Sequence, residues 1–201
     1  MSQLHVVDQP GGARKQITFF DEPVGSMSRQ PDGTLIAFTM DVGGSEHAQI
    51  LLLNPENGSS TMLSDGNSRH GSPLWDKTGE HIAFMSNRRN GASNDVWTMP
   101  IDNPNQAEMV LESPDGTWWG PIDWSNDGKH LLIQNYISIT NSKVYLVDLE
   151  TKDKTLILGN LAEPSVNSGL AFDAANTGVF FTTDTFCLLY TSDAADEEDS
   201  V

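Results

Sequence analysis

Ser72-Pro73-Leu74-Trp75-Asp76-Lys77-Thr78-Gly79-Glu80-His81-Ile82-Ala83-Phe84-Met85-Ser86 is one copy of a pattern that occurs four times along the chain. Its counterparts run from Met27 to Asp41, from Pro121 to Asn135 and, with more substitutions, from Gly169 to Asp184. Anchored on a turn residue, the copies align at Gly33, Gly79, Gly128 and Asn176, with gaps of 46, 49 and 48 residues. Four positions before the anchor stand Arg29, Trp75, Trp124 and Phe172. Five positions after it stand Phe38, Phe84, Ile133 and Phe181. Two hydrophobic registers locked to one turn at this period are the signature of blades in a β-propeller.

Each part of the unit has a physical reason. Pro31-Asp32-Gly33 and Asn126-Asp127-Gly128 are tight-turn sequences in which glycine supplies positive φ without a steric cost. Asn176 is the residue type that tolerates the left-handed region best after glycine. Apolar runs such as Leu35-Ile36-Ala37-Phe38 and Leu131-Leu132-Ile133 follow the turns and read as strands buried on both faces. A third strand is predicted over Gln49 to Leu53, Asp95 to Met99 and Lys143 to Val147. After a polar hairpin (Asn57-Gly58, Asn103-Pro104-Asn105, Thr151-Lys152-Asp153), a fourth falls near Ser60 to Leu63, Ala107 to Leu111 and Thr155 to Leu158. No segment carries sustained helical periodicity. The fold class is all-β, with four-stranded antiparallel blades.

The two ends fit this frame as half blades. Leu4 to Asp8 and Gln16 to Phe19 match the third and fourth strands of a blade, whereas the last copy stops after its second strand near Phe186. The reading is therefore a half blade over 3–20, whole blades at about 23–63, 70–111 and 119–158, and a half blade over 168–186. Four blades is the smallest ring, so an interrupted larger ring is expected. Such a piece would leave open sheet edges and be unstable alone. Cys187-Leu188-Leu189-Tyr190-Thr191-Ser192-Asp193-Ala194-Ala195-Asp196-Glu197 has no counterpart in the other copies and resembles the in-frame translation of a sequencing-library adapter. A natural acidic tail is the alternative. Residues 187–201 are accordingly set aside as non-native.

The chain carries 11 basic and 28 acidic side chains, a net charge of −17. Five acids and no base fall in residues 187–201, so the rest carries 23 acids against 11 bases, a net −12. That argues against a nucleic-acid phosphate binder, which needs a basic footprint. The one cysteine, Cys187, lies in the set-aside segment, leaving no disulfide, thiol nucleophile or zinc–thiolate site elsewhere. No apolar run is long enough to span a membrane. The compartment stays open between cytoplasm and periplasm, because a signal peptide could precede the first half blade.

The unit x-Pro-x-Trp, turn, Gly, Ile-Ala-Phe-x-Ser is similar to the propeller repeat shared by the translocation protein TolB and the prolyl oligopeptidase family of serine peptidases. Several stretches resemble the peptidases more closely: Gln16 to Val24, Phe38 to Gly44, Leu63 to Arg69, Asn87-Arg88-Arg89-Asn90-Gly91 and Asp123 to Gly128. They are like the non-catalytic propeller of dipeptidyl or acylaminoacyl peptidases. The resemblance covers residues 3 to 186 and departs at Arg29, where the other copies hold Trp or Phe. Either the first blade packs differently there, or the arginine stem covers the apolar gap with its head in solvent.

The resemblance implies a division of labour. A C-terminal α/β-hydrolase domain would hold the catalytic serine, acid and histidine, and the propeller would limit access to short peptides and supply some substrate contacts. The serine elbow, usually Gly-x-Ser-x-Gly, is absent from this sequence: Gly25-Ser26 and Gly71-Ser72 lack the second glycine and a strand-then-helix context. No catalytic, cofactor or metal-binding residue is assigned, and the chain by itself should hydrolyse nothing.

Other candidates are weaker. His5, His47, His70, His81 and His130 show no metal-ligand spacing and read as structural, His81 and His130 holding equivalent places after a turn. The Asp-Gly pairs at Asp32, Asp65, Asp115 and Asp127 lack the Asp-x-Asp-x-Asp-Gly run and distal Glu of a calcium loop, so turn chemistry explains them. Ser113 to Trp118 is near the Asp-box of sialidase propellers but has the wrong spacing.

Two pairs remain. Arg88-Arg89, in the loop after an inner strand, could hold a substrate carboxylate or pair with an acid on a hydrolase domain; a solvated loop is the plain alternative. Of Trp118-Trp119, one should pack inside the sheet stack and the other could face a partner, with ordinary packing of both as the alternative. Two functions follow. One is the gating propeller of a serine peptidase, its partners a hydrolase domain of the same polypeptide and short peptide substrates. The other is a TolB-like propeller that binds another protein and catalyses nothing.

Overall fold

The four turn anchors take the conformation their residue types favour: φ is 92° at Gly33, 75° at Gly79, 69° at Gly128 and 58° at Asn176. Each closes a hairpin between two neighbouring strands. The structure, a computed structural model, describes residues 1–31 and 33–185. Among them are three four-stranded antiparallel meanders. The first holds β3 (Val24–Arg29), β4 (Ile36–Met40), β5 (Gln49–Leu53) and β6 (Ser60–Met62). The second holds β7 (His70–Trp75), β8 (His81–Ser86), β9 (Asp95–Pro100) and β10 (Glu108–Leu111). The third holds β11 (Trp118–Trp124), β12 (His130–Ser138), β13 (Asn141–Asp148) and β14 (Lys154–Leu158). Two-stranded sheets flank them, β1 (His5–Val7) with β2 (Arg14–Gln16) and β15 (Asn167–Phe172) with β16 (Val179–Thr183). The chain is all-β, and these sheets are the blades of a propeller.

Three residues before each anchor a polar side chain closes the turn. Gln30 Oε1 accepts from Leu35 N at 3.2 Å, and Asp76 Oδ1 from Glu80 N and His81 N at 3.0 and 3.2 Å. Ser125 Oγ accepts from Lys129 N and His130 N at 3.1 and 2.9 Å, and Asp173 Oδ1 from Thr177 N at 2.8 Å. The turns also touch across sheets: Gln30 Nε2 donates to Gly79 O at 2.9 Å, and Asn126 Nδ2 to Asp173 O at 2.8 Å. Gly79 and Gly128 should therefore answer differently to alanine. At Gly128 a Cβ meets open space, so only the positive-φ penalty of roughly 1 kcal/mol applies. At Gly79 it would stand 2.9 Å from Gln30 Cγ, so the intersheet bond is disturbed as well. Urea denaturation of the two variants should place Gly79→Ala below Gly128→Ala.

The residues four before the anchors join the sheets. Trp75 Nε1 donates to Ser28 O at 3.0 Å and Trp124 Nε1 to Leu74 O at 3.2 Å, each reaching the first strand of the preceding sheet. Trp75 belongs to a core with Ala37, Ile50, Ile82, Phe84 and Met99 between the first and second sheets. Trp124 belongs to one with Ala83, Val96, Trp119, Leu131, Ile133 and Val147 between the second and third. Alternate residues of a strand face opposite ways, so each apolar strand feeds two intersheet cores. Arg29 is exposed and folds back on its own turn, Nη2 donating to Gly33 O at 3.3 Å. Its head thus lies at the surface, and it makes no tryptophan-like dock on a neighbouring strand. In the fourth copy Phe181 is 47% exposed.

Boundaries differ from the sequence reading at the first sheet. β2 ends at Gln16 rather than running to Phe19, because Leu4 N donates to Thr18 Oγ1 at 2.8 Å and the side chain takes the place of a backbone partner. The link Asn103-Pro104-Asn105 is a short 3-10 turn over Pro104–Gln106. The expected end of the last half blade at Phe186 and the segment 187–201 lie outside the described residues.

Because neighbouring strands are antiparallel, connections alternate between the two ends of each sheet. The anchored turns and the links β5–β6, β9–β10 and β13–β14 lie at one end, the turn face. The links β4–β5, β8–β9 and β12–β13, with the crossings between sheets, lie at the other, the loop face.

Candidate functional site

All four residues singled out in the sequence lie toward the loop face. The β8–β9 link, Asn87 to Asn94, is folded by its own polar side chains. Asn87 Nδ2 donates to Gly91 O at 2.9 Å, and Asn90 Oδ1 accepts from Ala92 N and Ser93 N at 3.0 and 2.9 Å. Its two arginines part company. Arg89 lays its fork on the fully buried Asp95, Nε to Oδ2 at 2.7 Å and Nη2 to Oδ1 at 3.1 Å, and its Nη1 stands 3.0 Å from Glu112 Oε1. The Asp95 bond and charge hold the Arg89 guanidinium above its ordinary value against the opposing effect of burial. Asp95 Oδ1 also accepts from Ser113 N at 2.8 Å, so the carboxylate ties the crossing between the second and third sheets to this loop. All three Arg89 nitrogens are thus engaged from within the chain.

Arg88 stacks over Trp97, its guanidinium carbon 4.8 Å from the ring centroid, with Nε 4.0 Å from Asp65 Oδ2. This pairing is looser than the fork that Arg89 makes with Asp95.

Asp65 joins Arg88 to His70. His70 Nε2 lies 3.1 Å from Asp65 Oδ1, its side chain is fully buried, and its ring packs against Phe84 at 5.8 Å between centroids. Asp65 also accepts from Asn67 N and Ser68 N at 2.9 and 2.8 Å and from Ser68 Oγ at 2.8 Å. Burial pushes the Asp65 carboxyl up, but the Ser68 and Asn67 N–H groups, His70 and the Ser68 hydroxyl outweigh it and hold it well below the usual carboxylate range. Burial pulls His70 below its ordinary 6.5 and Arg88 adds to this, while Asp65 opposes both. Its Nδ1 is buried and without a partner, so a second ring proton would have no acceptor.

The signs fix a pH dependence. A depressed histidine contributes stability that is whole above 6.5 and lost as pH falls through that value towards the folded one. A depressed aspartate contributes stability that is whole above 3.8 and lost below it. His70→Asn should lose less stability than the parent chain between pH 7.5 and 5.5, measured by urea midpoints. Equal slopes would remove His70 as the cause.

The tryptophans also divide. Trp119 is buried, packs at a tilt against Tyr145 with centroids 5.1 Å apart and donates from Nε1 to Asp115 Oδ1 at 3.1 Å, with Lys154 Nζ 5.1 Å over its ring. Trp118 is half-buried. Its indole lies along the strand over Gly120, where a Cβ would overlap the ring. Trp118 pairs in register with the exposed Tyr136, so the two aromatics share one side of the sheet.

A cleft of about 840 Å³ opens on the turn face between the second and third sheets and does not contain these residues. Asp76, Glu80, His81, Glu108, Trp124 and Lys152 line it. Its charges largely pair among themselves: His81 Nδ1 is 3.3 Å from Asp76 Oδ2, and Lys152 Nζ is 3.8 Å from Glu108 Oε2. His130, equivalent to His81 in the repeat, instead faces Asp148 at 3.7 Å. No cluster of three metal-ligating side chains occurs among the described residues, and no helix there is long and apolar enough to cross a membrane.

Comparison with known proteins places this geometry. No curated protein matches the chain. A structure from a study of two prolyl endopeptidases superposes with a TM-score of 0.69 at 16% identity, over 91% of this chain and 29% of that one. TolB from Acinetobacter baumannii gives the same TM-score and identity over 89% of this chain and 42% of its own. Prolyl oligopeptidase B from Galerina marginata gives 0.61 at 13% identity, over 81% and 25%. The chain thus spans under half the length of each, and at these identities the likeness shows the fold. The family model for the prolyl oligopeptidase N-terminal β-propeller domain matches residues 19–191, ending five residues into the segment that begins at Cys187. With the repeat, the blade geometry and this match in agreement, the chain belongs to the prolyl oligopeptidase N-terminal β-propeller family.

Proposed function

We propose that this chain is the non-catalytic propeller portion of a serine peptidase and gates the access of short peptides to an α/β-hydrolase domain of the same polypeptide. The family match over residues 19–191 is the observation that carries the reading. Two structural features support it. The sheets pack on one another through cores that include Trp75 and Trp124, so they can form a continuous wall. The loop face, with Arg88 and the Trp118–Tyr136 aromatic pair, offers a cation and apolar surface to a peptide or a neighbouring domain.

In this division of labour the propeller does no chemistry. It excludes large substrates by the width of its openings, and Arg88 offers a local contact to a substrate carboxylate. The runner-up is a TolB-like propeller that binds another protein, favoured by an equal TM-score to the Acinetobacter structure. An assay with short chromogenic peptides separates the two. The chain alone should release no product, whereas its complete polypeptide should hydrolyse them and be silenced by a fluorophosphonate. A complete polypeptide without such activity sinks the peptidase reading.

A further inference from the structure

The β12–β13 link departs from its two counterparts in a way the repeat does not require. In the first and second sheets the ladder ends at Met40↔Gln49 and at Ser86↔Asp95. The chain then makes polar, glycine-bearing loops, Asp41 to Ala48 and Asn87 to Asn94. Those loops fold back on themselves: Asp41 accepts from Ser45 N and Glu46 N at 3.1 and 3.0 Å, and Asn90 acts similarly. The equivalent rung in the third sheet is Asn135↔Lys143, and there the ladder continues through Tyr136↔Ser142 and Ser138↔Asn141. The sequence explains the difference. Tyr136-Ile137-Ser138-Ile139-Thr140-Asn141-Ser142 has no glycine to turn back on and is rich in β-branched residues, which favour extension. β12 reaches nine residues and β13 eight, against six or fewer for the second and third strands of the other two four-stranded sheets.

The resulting hairpin overhangs the loop face and is braced at its base. Asn135 Nδ2 donates to Thr117 Oγ1 at 2.6 Å, Ser142 N to Ser165 O at 2.9 Å and Ser142 Oγ to Asn167 O at 2.7 Å. Its tip is bare. Ile139 is 83% exposed, Tyr136 47% and Ile137 36%, with the half-buried Trp118 beside them. In a chain of net charge −17, this seven-residue run carries no charge. Uncharged and presenting Tyr136, Ile137 and Ile139 to solvent, the tip has the character of an interface anchor and not of a solvated loop.

We propose that the Tyr136–Ser142 hairpin is the docking element through which the propeller is held by the hydrolase domain, with Ile139 seated in an apolar pocket of that domain. The proposal rests on the peptidase reading above. The occupant follows from length: the matched propeller takes up only 29% of the prolyl endopeptidase chain, so most of such a polypeptide lies outside it. A second copy of this chain is disfavoured by charge, because each copy would bring a net −17 to the contact.

Hydrogen–deuterium exchange on the complete polypeptide tests it. The amides of residues 137–141 should exchange slower by about tenfold or more there than in this chain alone, because a packed anchor excludes water. Ile139→Asp in the complete polypeptide should abolish that protection while leaving exchange of residues 131–135 unchanged, since Ile139 is exposed within this chain. Unchanged exchange in a polypeptide that does contain a hydrolase domain overturns the docking proposal and leaves the peptidase reading standing. A polypeptide without a hydrolase domain overturns both. Protection that grows with concentration in this chain alone assigns the tip to a second copy and also overturns it.

Discussion

Trp124→Ala should lower the unfolding free energy by about 3–5 kcal/mol, the range for deleting a large buried aromatic. Trp124 is 4% exposed and sits among Ala83, Val96, Leu131, Ile133 and Val147, where two sheets meet. The substitution leaves a cavity between sheets that backbone ladders prevent from closing. It also strips Leu74 O of its donor. Trp124→Phe separates the two effects. It keeps most of the apolar area and loses the indole bond, at a cost of about 1 kcal/mol or somewhat more. Guanidinium denaturation of both variants measures the difference. Equal losses would mean that the bond to the preceding sheet, and not the volume, joins the blades.

Asp95→Ala should cost about 2–3 kcal/mol, the penalty for leaving a buried donor unpaired and losing hydrogen bonds to a charged acceptor. Asp95 has no exposed surface and accepts from Arg89 twice and from Ser113 N. Without it the Ser113 N–H is left buried and unpaired, and the crossing into the third sheet loses its tie to the β8–β9 loop. Asp95→Asn keeps the shape and one acceptor, so it should cost less. Arg88→Ala, in contrast, removes only a stacked and partly solvated side chain and should fall well short of either. Denaturation midpoints of the three should rank Asp95→Ala lowest and Arg88→Ala highest. A reversed order would put the structural role on Arg88 and return Arg89 to the candidate site.

The fold was legible because its punctuation is local. Gly33, Gly79, Gly128 and Asn176 mark turns by residue type alone, and the aromatics at fixed offsets mark the sheet contacts. The site was less legible, for a physical reason. Arg88 and Arg89 are adjacent in sequence, so they read as one cationic pair, yet neighbours in an irregular loop point different ways. Only the fold brings Asp95 under one and Trp97 under the other. The available signal was Asp95 itself, an acid opening an otherwise apolar strand. Period-two alternation says that one of Trp118 and Trp119 faces inward, and burial shows it to be Trp119. The pairing of His70 with Asp65 was hidden because neither residue recurs in the repeat. The overhanging hairpin was missed for a related cause: repeat reading looks for what copies share, and this feature lies in what one copy lacks.

The central claim is that this propeller serves a peptidase, and the direct measurement is long-read sequencing of the source DNA beyond the codon for Phe186. The predicted result is further propeller repeats, then a Gly-x-Ser-x-Gly elbow followed by an acid and a histidine in hydrolase order. A stop codon soon after the ring closes, with no hydrolase sequence, would contradict it and leave a binding module.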